Sequence, residues 1–426
     1  VFLNNSKLVN ENKLIFDSEV PVPNKVGRNL GYIDSKYKNI IIEYKKPGFL
    51  ASKRNVKNAE KQIRSYAENI DHDQELFAFI FDGSNLIAYN KMKNSSLEKI
   101  SYASGEINVN SLDFFVRSIV SYNKKSLNPD TIKDYFSIVD NNSISNNIFR
   151  KLYESINKSE DKRTLLLFSE WKKLFKLSES DKGKHLDIVN RRLAISNMLG
   201  CEILDSDQEY LSLFSLHTTY SIIIKLIAAR TASTNNTESL KNKSKLKMYL
   251  TSVEDGSYFT NFGVANLKAG DFFSWYLGDT LDDSITKLIN DLVFTLSEFE
   301  QTPLQSYVRK QDFFKELYEN CIPKEVRHSF GEYYTPYWLA DKTIRDSMPK
   351  KEQWSMIDPS CGSGTFIMAA LNNMSKNFYD QVNGLNDLKN VAGIDLNPLA
   401  VITAKINIFL NYARYINSTM SVEIPI

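Results

Sequence analysis

The stretch Asp358-Pro359-Ser360-Cys361-Gly362-Ser363-Gly364-Thr365-Phe366, with Gly393-Ile394-Asp395-Leu396-Asn397-Pro398 after it, decides the reading of the fold. The first segment reads as a strand end, a tight glycine loop and a helix start. Trp354 to Ile357 supply an apolar strand before the loop, and Thr365 to Met374 a helix after it. Gly362 and Gly364 let the backbone turn sharply and let a ligand come close to it. The helix turns its free N–H groups toward that ligand. The second segment reads as the next parallel strand with an acid at its tip. Together they form the first βαβ unit of a doubly wound sheet, which holds a nucleoside-bearing cofactor at the carboxyl ends of its strands. Asp395 is then placed to accept hydrogen bonds from two ribose hydroxyls.

The residue types narrow the cofactor. A dinucleotide fingerprint wants a third glycine where Ile367 stands, and an acid nearer than Asp395. A P-loop wants a lysine after its glycines, and this loop has none. Asp358 adds negative charge beside the loop, which suits a cationic or zwitterionic ligand better than a phosphate. S-adenosyl-L-methionine has a sulfonium, an amino group and no phosphate, and fits.

Asp358 to Phe366 resembles the cofactor loop of the amino-group DNA adenine methyltransferases. Gly331-Glu332-Tyr333-Tyr334-Thr335-Pro336 resembles the segment that packs on the methionine part of the cofactor in that family. Gly393 to Pro398 matches its ribose-binding strand. The resemblance implies cofactor contacts from Tyr333, Tyr334, Thr335 and Pro336 and from each loop residue (Asp358, Pro359, Ser360, Cys361, Gly362, Ser363, Gly364, Thr365, Phe366), with Asp395 and Leu396 on the ribose side. That family transfers its methyl group with an Asn-Pro-Pro-aromatic loop, and no such tetrapeptide occurs in this sequence. Val422-Glu423-Ile424-Pro425-Ile426 looks like the approach to a third strand, and the chain reads as a fragment truncated before the catalytic motif.

A second motif lies near the other end. Asp34-Ser35-Lys36-Tyr37-Lys38-Asn39 leads into Ile40-Ile41-Ile42-Glu43-Tyr44-Lys45, a strongly β-prone run. Side chains alternate along a strand, so Glu43 and Lys45 point to one side and Tyr44 to the other, into packing. An acid ahead of Glu-x-Lys resembles the PD-(D/E)xK nuclease core. The resemblance implies that Asp34 and Glu43 hold a hard divalent cation, Mg²⁺, through oxygen ligands. Lys45 then orients the attacking water and offsets phosphate charge. Asn58 to Ile70 has helical character, with Gln62 and Tyr66 four apart on one face. Gln-x-x-x-Tyr after Glu-x-Lys resembles the RecB-like and restriction-enzyme branches of that superfamily, with Gln62 supporting the site. Leu76 to Phe81 and Asn85 to Tyr89 read as a hairpin about Asp82-Gly83. A further acid from Glu11 or Glu19 is an open choice. Alone, Glu-x-Lys reads better as a solvated strand face with a cross-strand ion pair; Asp34, the β run, Gln62 and Tyr66 in order turn the reading to the nuclease. Lys46, Lys53, Arg54, Lys57, Lys61 and Arg64 read either as a solvated helix face or as a track for the DNA backbone.

The remaining sequence sets bounds. A chain of 426 residues is too long for one ordinary core. A net charge of +2 leaves DNA contact to local patches. Tyr220 to Ala229 is too short to span a bilayer and contains Lys225, so no membrane partner is expected. Three scattered cysteines fit a reducing cytoplasm, and the four histidines show no metal spacing. Leu165 to Phe175, His185 to Leu199, Gln208 to Ala232 and Asp283 to Glu298 carry helical periodicity, while Thr234 to Lys247 reads as an exposed loop.

The expected architecture is multi-domain α/β. A PD-(D/E)xK nuclease domain covers 1–125, a helical connector 126–320, and the first part of a Rossmann-like methyltransferase sheet 321–426. That order resembles single-chain type IIG restriction-modification enzymes, which cleave unmodified double-stranded DNA with Mg²⁺ and methylate adenine N6 with S-adenosyl-L-methionine. No obligate protein partner is expected. The alternatives are a phage-defence adenine methyltransferase with an inactive nuclease-like domain, and a non-enzymatic S-adenosylmethionine-sensing DNA-binding protein.

Overall fold

A computed structural model describes residues 16–23, 29–70, 76–91, 96–100, 103–121, 127, 129–178, 185–232, 243–267, 272–278, 281–299, 313–329, 335–349, 354–374, 385–413, 416 and 421–426. The chain divides into two compact units, Val1–Lys125 and Ser126–Ile426.

The first unit is a mixed sheet with helices. Its elements run β1 (Asp17–Pro23), β2 (Asn29–Tyr37), β3 (Ile40–Tyr44), α1 (Lys53–Asn69), β4 (Leu76–Phe81), β5 (Asn85–Lys91), β6 (Glu98–Lys99), β7 (Gly105–Glu106) and α2 (Val109–Ser121). Strand order in the sheet follows chain order from β1 to β6, and β7 pairs with β5. The pairs β1–β2, β2–β3 and β4–β5 are antiparallel, whereas β3 and β4 are parallel with Ile41 opposite Ala78. A parallel pair needs a crossover, and α1 supplies it. Ala59, Ile63, Tyr66 and Ala67 recur at three- and four-residue steps and form the buried stripe of α1. That stripe shares a core with Ile41, Ala78, Ile80 and Tyr89. Phe77 and Phe79 pack against Phe114 of α2 at ring separations of 5.9 and 6.1 Å. At the β4–β5 turn Gly83 has φ 87°, which an L side chain resists. Asp82 is buried and accepts N–H groups from Ser84 (3.0 Å), Asn85 (2.7 Å) and Leu50 (2.8 Å). The hairpin is thereby tied to the turn that follows β3.

The second unit begins with helices: α3 (Pro129–Phe136), α4 (Ile144–Asn157), α5 (Lys162–Ser178), α6 (His185–Leu199), α7 (Ser206–Ala232), α8 (Lys243–Glu254) and α9 (Ser257–Thr260). Next come α10 (Asp283–Ser297), α11 (Phe313–Cys321), α12 (Lys324–Ser329), α13 (Tyr337–Ser347), β8 (Met356–Asp358), α14 (Thr365–Met374), β9 (Val391–Gly393) and α15 (Pro398–Tyr412). Strands β8 and β9 are parallel, with Asp358 opposite Gly393. One hydrophobic cluster reaches from Leu127 to Ile424, through both the helices and the β8–β9 segment. By length and composition α7 would pass for a membrane span, contrary to the sequence expectation, but 94% of its apolar window is buried inside the protein. It is the central helix of this unit. Its Lys225 is buried among apolar neighbours and meets Glu254 at 2.6 Å, whose other oxygen accepts from the Tyr276 hydroxyl at 2.9 Å.

Some expectations need correction. Tyr44 is 43% exposed and meets Phe81 edge-on, because that face of β3 is left partly uncovered. Residues from Lys243 are helix and not loop, since Leu246, Leu250 and Val253 reach the core at helical spacing. The first strand of the parallel pair is Met356–Asp358, one to two residues later than expected, and Ile357 is exposed. Glu11 and 233–242 lie outside the described residues.

Candidate functional site

In the second unit, the loop between β8 and α14 sits at the carboxyl end of the parallel strands. Gly362 and Gly364 have φ 55° and 88°. A side-chain carbon on Gly364 would lie 3.3 Å from Cβ of Ala404 on α15, so close packing and backbone conformation both call for glycine. The Gly364 N–H donates to Cys361 O (2.8 Å), and the Met368 N–H to Gly364 O (2.8 Å), which starts the helix. Asn407 of α15 donates to Ser363 O at 2.8 Å and props the loop from below. Buried polar residues (Lys405, Asn407 and Asn411) in a mostly apolar helix are the signal that would have found it.

Two carboxylates stand at this strand end. Asp358 accepts the Ser360 N–H (3.1 Å). Asp395 accepts the Gly362 N–H on one oxygen and the Asn397 N–H on the other, both at 2.8 Å. Burial raises the Asp358 pKa above the ordinary carboxylate value of 3.8, and the nearby Asp395 charge raises it further, while the Ser360 N–H acts against them. The site is therefore short of positive charge. A cationic ligand relieves that deficit, and a phosphate would worsen it. The oxygens of Asp395 are partly engaged by the loop, yet a carboxylate has about four acceptor positions, so ribose hydroxyls can still be served. Burial and the same two charges push the Cys361 thiol to about 12, which removes it as a nucleophile.

The other expected contacts fall as follows. Pro359, Ser360 and Leu396 are exposed, Ser363 and Thr365 are buried, and Phe366 is partly buried against the core. Thr335 and Pro336 lead into α13, which lies along α14 through Asn372 to the Tyr337 hydroxyl (2.6 Å) and Asn373 to Asp341 (2.8 Å). Tyr333 and Tyr334 lie outside the described residues.

In the first unit, β3 and α1 bring together Glu43, Lys45, Gln62 and Tyr66. Lys45 Nζ donates to Glu43 Oε2 (3.0 Å) and to Gln62 Oε1 (3.1 Å). Gln62 Nε2 reaches Glu43 Oε2 (3.1 Å) and the Tyr66 hydroxyl (3.0 Å). The β2–β3 ladder stops at Ser35–Ile42, and Asp34 then accepts the Tyr44 N–H at 2.7 Å. Burial raises the Glu43 pKa above 4.5; the Asp34 charge adds to this, and the Lys45 hydrogen bond opposes it. Glu43 Oε1 is buried without a hydrogen-bond partner. Gly31 was missed by sequence reasoning. A side-chain carbon there would fall 2.3 Å from the Tyr66 hydroxyl, and its φ is 148°. Among the described residues no group of three or more His, Cys, Asp or Glu is gathered for a metal. Lys46, Lys53, Arg54, Lys57 and Lys61 are exposed, but Arg64 turns inward to Leu97 O (2.6 Å) and lies over the Tyr89 ring.

Residues 309–422 match the N-6 DNA Methylase family. Over 146 residues the chain is 30% identical to the Type I restriction enzyme MjaIX methylase subunit of Methanocaldococcus jannaschii, a match that covers 32% of this chain and 25% of that subunit. Two solved structures overlap weakly. The DrdV–DNA complex has a TM-score of 0.32 at 13% identity, covering 98% of this chain and 36% of that one. The type IIG restriction endonuclease BpuSI has 0.26 at 12%, covering 99% and 40%. Likenesses of that size bear on neither fold nor function.

Proposed function

We propose that the chain belongs to a single-polypeptide restriction-modification protein of the type IIG kind. In this reading, 1–125 is a PD-(D/E)xK nuclease, 126–320 a helical connector, and 321–426 the cofactor-binding part of an adenine-N6 DNA methyltransferase. The observation that carries it is the Asp358–Asp395 carboxylate pair over a positive-φ glycine loop, inside the segment that matches the methylase family. In S-adenosyl-L-methionine, the amino group and sulfonium answer the charge deficit, and the ribose hydroxyls answer Asp395. The loop N–H groups and Asn407 keep the cradle in shape before the cofactor arrives. The cofactor supplies the methyl group when bound.

The nuclease half rests on the Glu43 cluster. A buried carboxylate oxygen that makes no full hydrogen bond, beside the backbone N–H and the carboxylate of Asp34, fits one hard cation that keeps several waters. Asp34 and Glu43 would hold Mg²⁺, which when bound polarises a phosphate and acidifies a water. Lys45, fixed by Glu43 and Gln62, supplies positive charge beside the phosphate and orients the attacking water. Gln62 bonds both partners and so fixes Lys45 on the same oxygen of Glu43. The exposed lysines of α1 offer sequence-independent contact to duplex DNA.

The test uses the full-length protein on unmodified duplex DNA, with and without Mg²⁺, beside tritium-methyl transfer from S-adenosylmethionine. Lys45→Ala should abolish cleavage and leave adenine methylation intact. Cleavage that persists in that variant removes the nuclease assignment.

A further inference from the structure

The cofactor site borrows a residue from far outside the matched segment. Val264 and Val422 form a parallel bridge, with Val422 N–H to Gly263 O (2.8 Å) and Ala265 N–H to Val422 O (2.9 Å). One residue on, a side chain takes over from the main chain. Asn266 Oδ1 accepts the Ile424 N–H at 2.8 Å, and Asn266 Nδ2 donates to Ile424 O at 2.8 Å. The backbone oxygen of Asn266 is held in turn by the buried Lys405 ammonium of α15 at 3.0 Å. On its other side this strip meets β9: the Gly393 N–H donates to Pro425 O at 2.8 Å. Ile426 lies so close to Gly393 that a side-chain carbon there would be 2.5 Å from its Cδ1. Beyond Gly393, the Ile394 N–H donates to Asp358 O and its carbonyl accepts the Cys361 N–H, at 2.8 and 3.0 Å. Asp395 follows directly.

We infer that Asn266 is a positioning residue for the cofactor: its amide acts as a piece of strand main chain, fixes Val422–Ile426 against β9, and so fixes the tip that carries Asp395. The chemistry asks for an amide of this length. One side chain accepts the N–H and donates to the C=O of the same residue, and the asparagine amide does so with two separate atoms, its oxygen and its nitrogen. Ile424 is buried, so losing the amide strands two backbone groups away from water. The inference rests on the cofactor reading above and extends it: residues 263–266 are part of the methyltransferase sheet and not of a spacer.

The experiment is calorimetric titration of the full-length protein with S-adenosylhomocysteine, in wild type, Asn266→Ala, Asn266→Asp, Asp395→Ala and the Asn266→Ala/Asp395→Ala double variant. Asn266→Ala should weaken binding about tenfold or more. Asn266→Asp keeps an acceptor for the Ile424 N–H but loses the donor, and should also weaken it; it decides the matter if the alanine variant does not fold. In the Asp395→Ala background the alanine change should cost nothing further, because it acts through that residue. Wild-type affinity in both Asn266 variants overturns the inference, as does an equal loss with and without Asp395. A wild-type protein that does not bind removes the cofactor reading itself, a different failure from binding that Asn266 leaves untouched.

Discussion

Glu43 shows how one side chain's neighbours set its chemistry. It is buried, it shares one oxygen between Lys45 and Gln62, and its other oxygen has no partner. Its raised pKa means the folded chain holds a proton there more readily than the unfolded chain does. At neutral pH the ionised form therefore works against folding, and that penalty fades as pH falls through the raised pKa. Cleavage runs the opposite way, since a cation site and a lysine partner both need the carboxylate. In the metal-free protein the Glu43 carboxyl should titrate above the ordinary 4.5, because burial and the Asp34 charge outweigh Lys45, and bound Mg²⁺ should pull it back down. A metal-free NMR titration that puts the Glu43 midpoint at or below that value, or one that Mg²⁺ leaves unmoved, would remove Glu43 from the cation site. Gly31 belongs to the same scale. A methyl group at 31 must displace the Tyr66 hydroxyl, which holds Gln62, which holds both Glu43 and Lys45. Gly31→Ala should lower kcat/KM for cleavage on the order of a hundredfold, as a misplaced supporting group does. In a Tyr66→Ala background the loss should shrink to what the positive-φ backbone alone costs, and an undiminished penalty there would separate Gly31 from the cluster.

At the scale of elements, the glycine loop and the tip of β9 form one device. Asp395 holds the Gly362 N–H, so removing its carboxylate loosens the cradle and also deletes the ribose acceptor. Asp395→Ala should weaken S-adenosylmethionine binding roughly a hundredfold, from about 3 kcal/mol. Binding to the wild type should also weaken on acidification as Asp358 takes up a proton, at a pH above its ordinary 3.8. Titration calorimetry across pH checks both, and pH-independent affinity would exclude Asp358 from the site. Both motifs were legible because their signals are local. A period of two sets Glu43 and Lys45 on one side of a strand; four-residue spacing sets Gln62 and Tyr66 on one face of α1; two glycines mark the turn into α14. Gly31 and Asn266 were not legible, since each matters through a residue far off in sequence, Tyr66 and Ile424. Tyr44 failed for a related reason: alternation tells which residues share a side, not which side is covered. The stretch after Lys243 failed because its lysines and polar residues drew attention from the apolar residues at helical spacing between them.

At the scale of the whole molecule, the helices of the second unit and its cofactor loop share one core. Phe259 of α9 meets Phe409 of α15 edge-on at 5.7 Å, and the Tyr220 hydroxyl of α7 donates to Phe314 O at 3.0 Å. Lys225 and Glu254 add a buried pair to that core, and breaking such a pair from one side costs about 3–5 kcal/mol. A ligand at the loop should therefore stabilise helices far from it. The tryptophans make this measurable, for all four (Trp171, Trp275, Trp338 and Trp354) belong to the second unit. Trp171 and Trp275 lie in the helical stretch, and both are buried; Trp275 donates to Thr218 Oγ1 at 2.8 Å. In the 426-residue chain, replacing Trp338 and Trp354 by phenylalanine leaves those two as its indole reporters. S-adenosylhomocysteine at a hundred times its Kd should add about 2.7 kcal/mol, a rise of roughly 5 °C in the midpoint of the indole-detected transition. A midpoint that stays put while calorimetry shows the ligand bound would mean that the helices melt on their own. The continuous core then would not transmit binding energy, and residues 126–320 would be a separate cooperative unit.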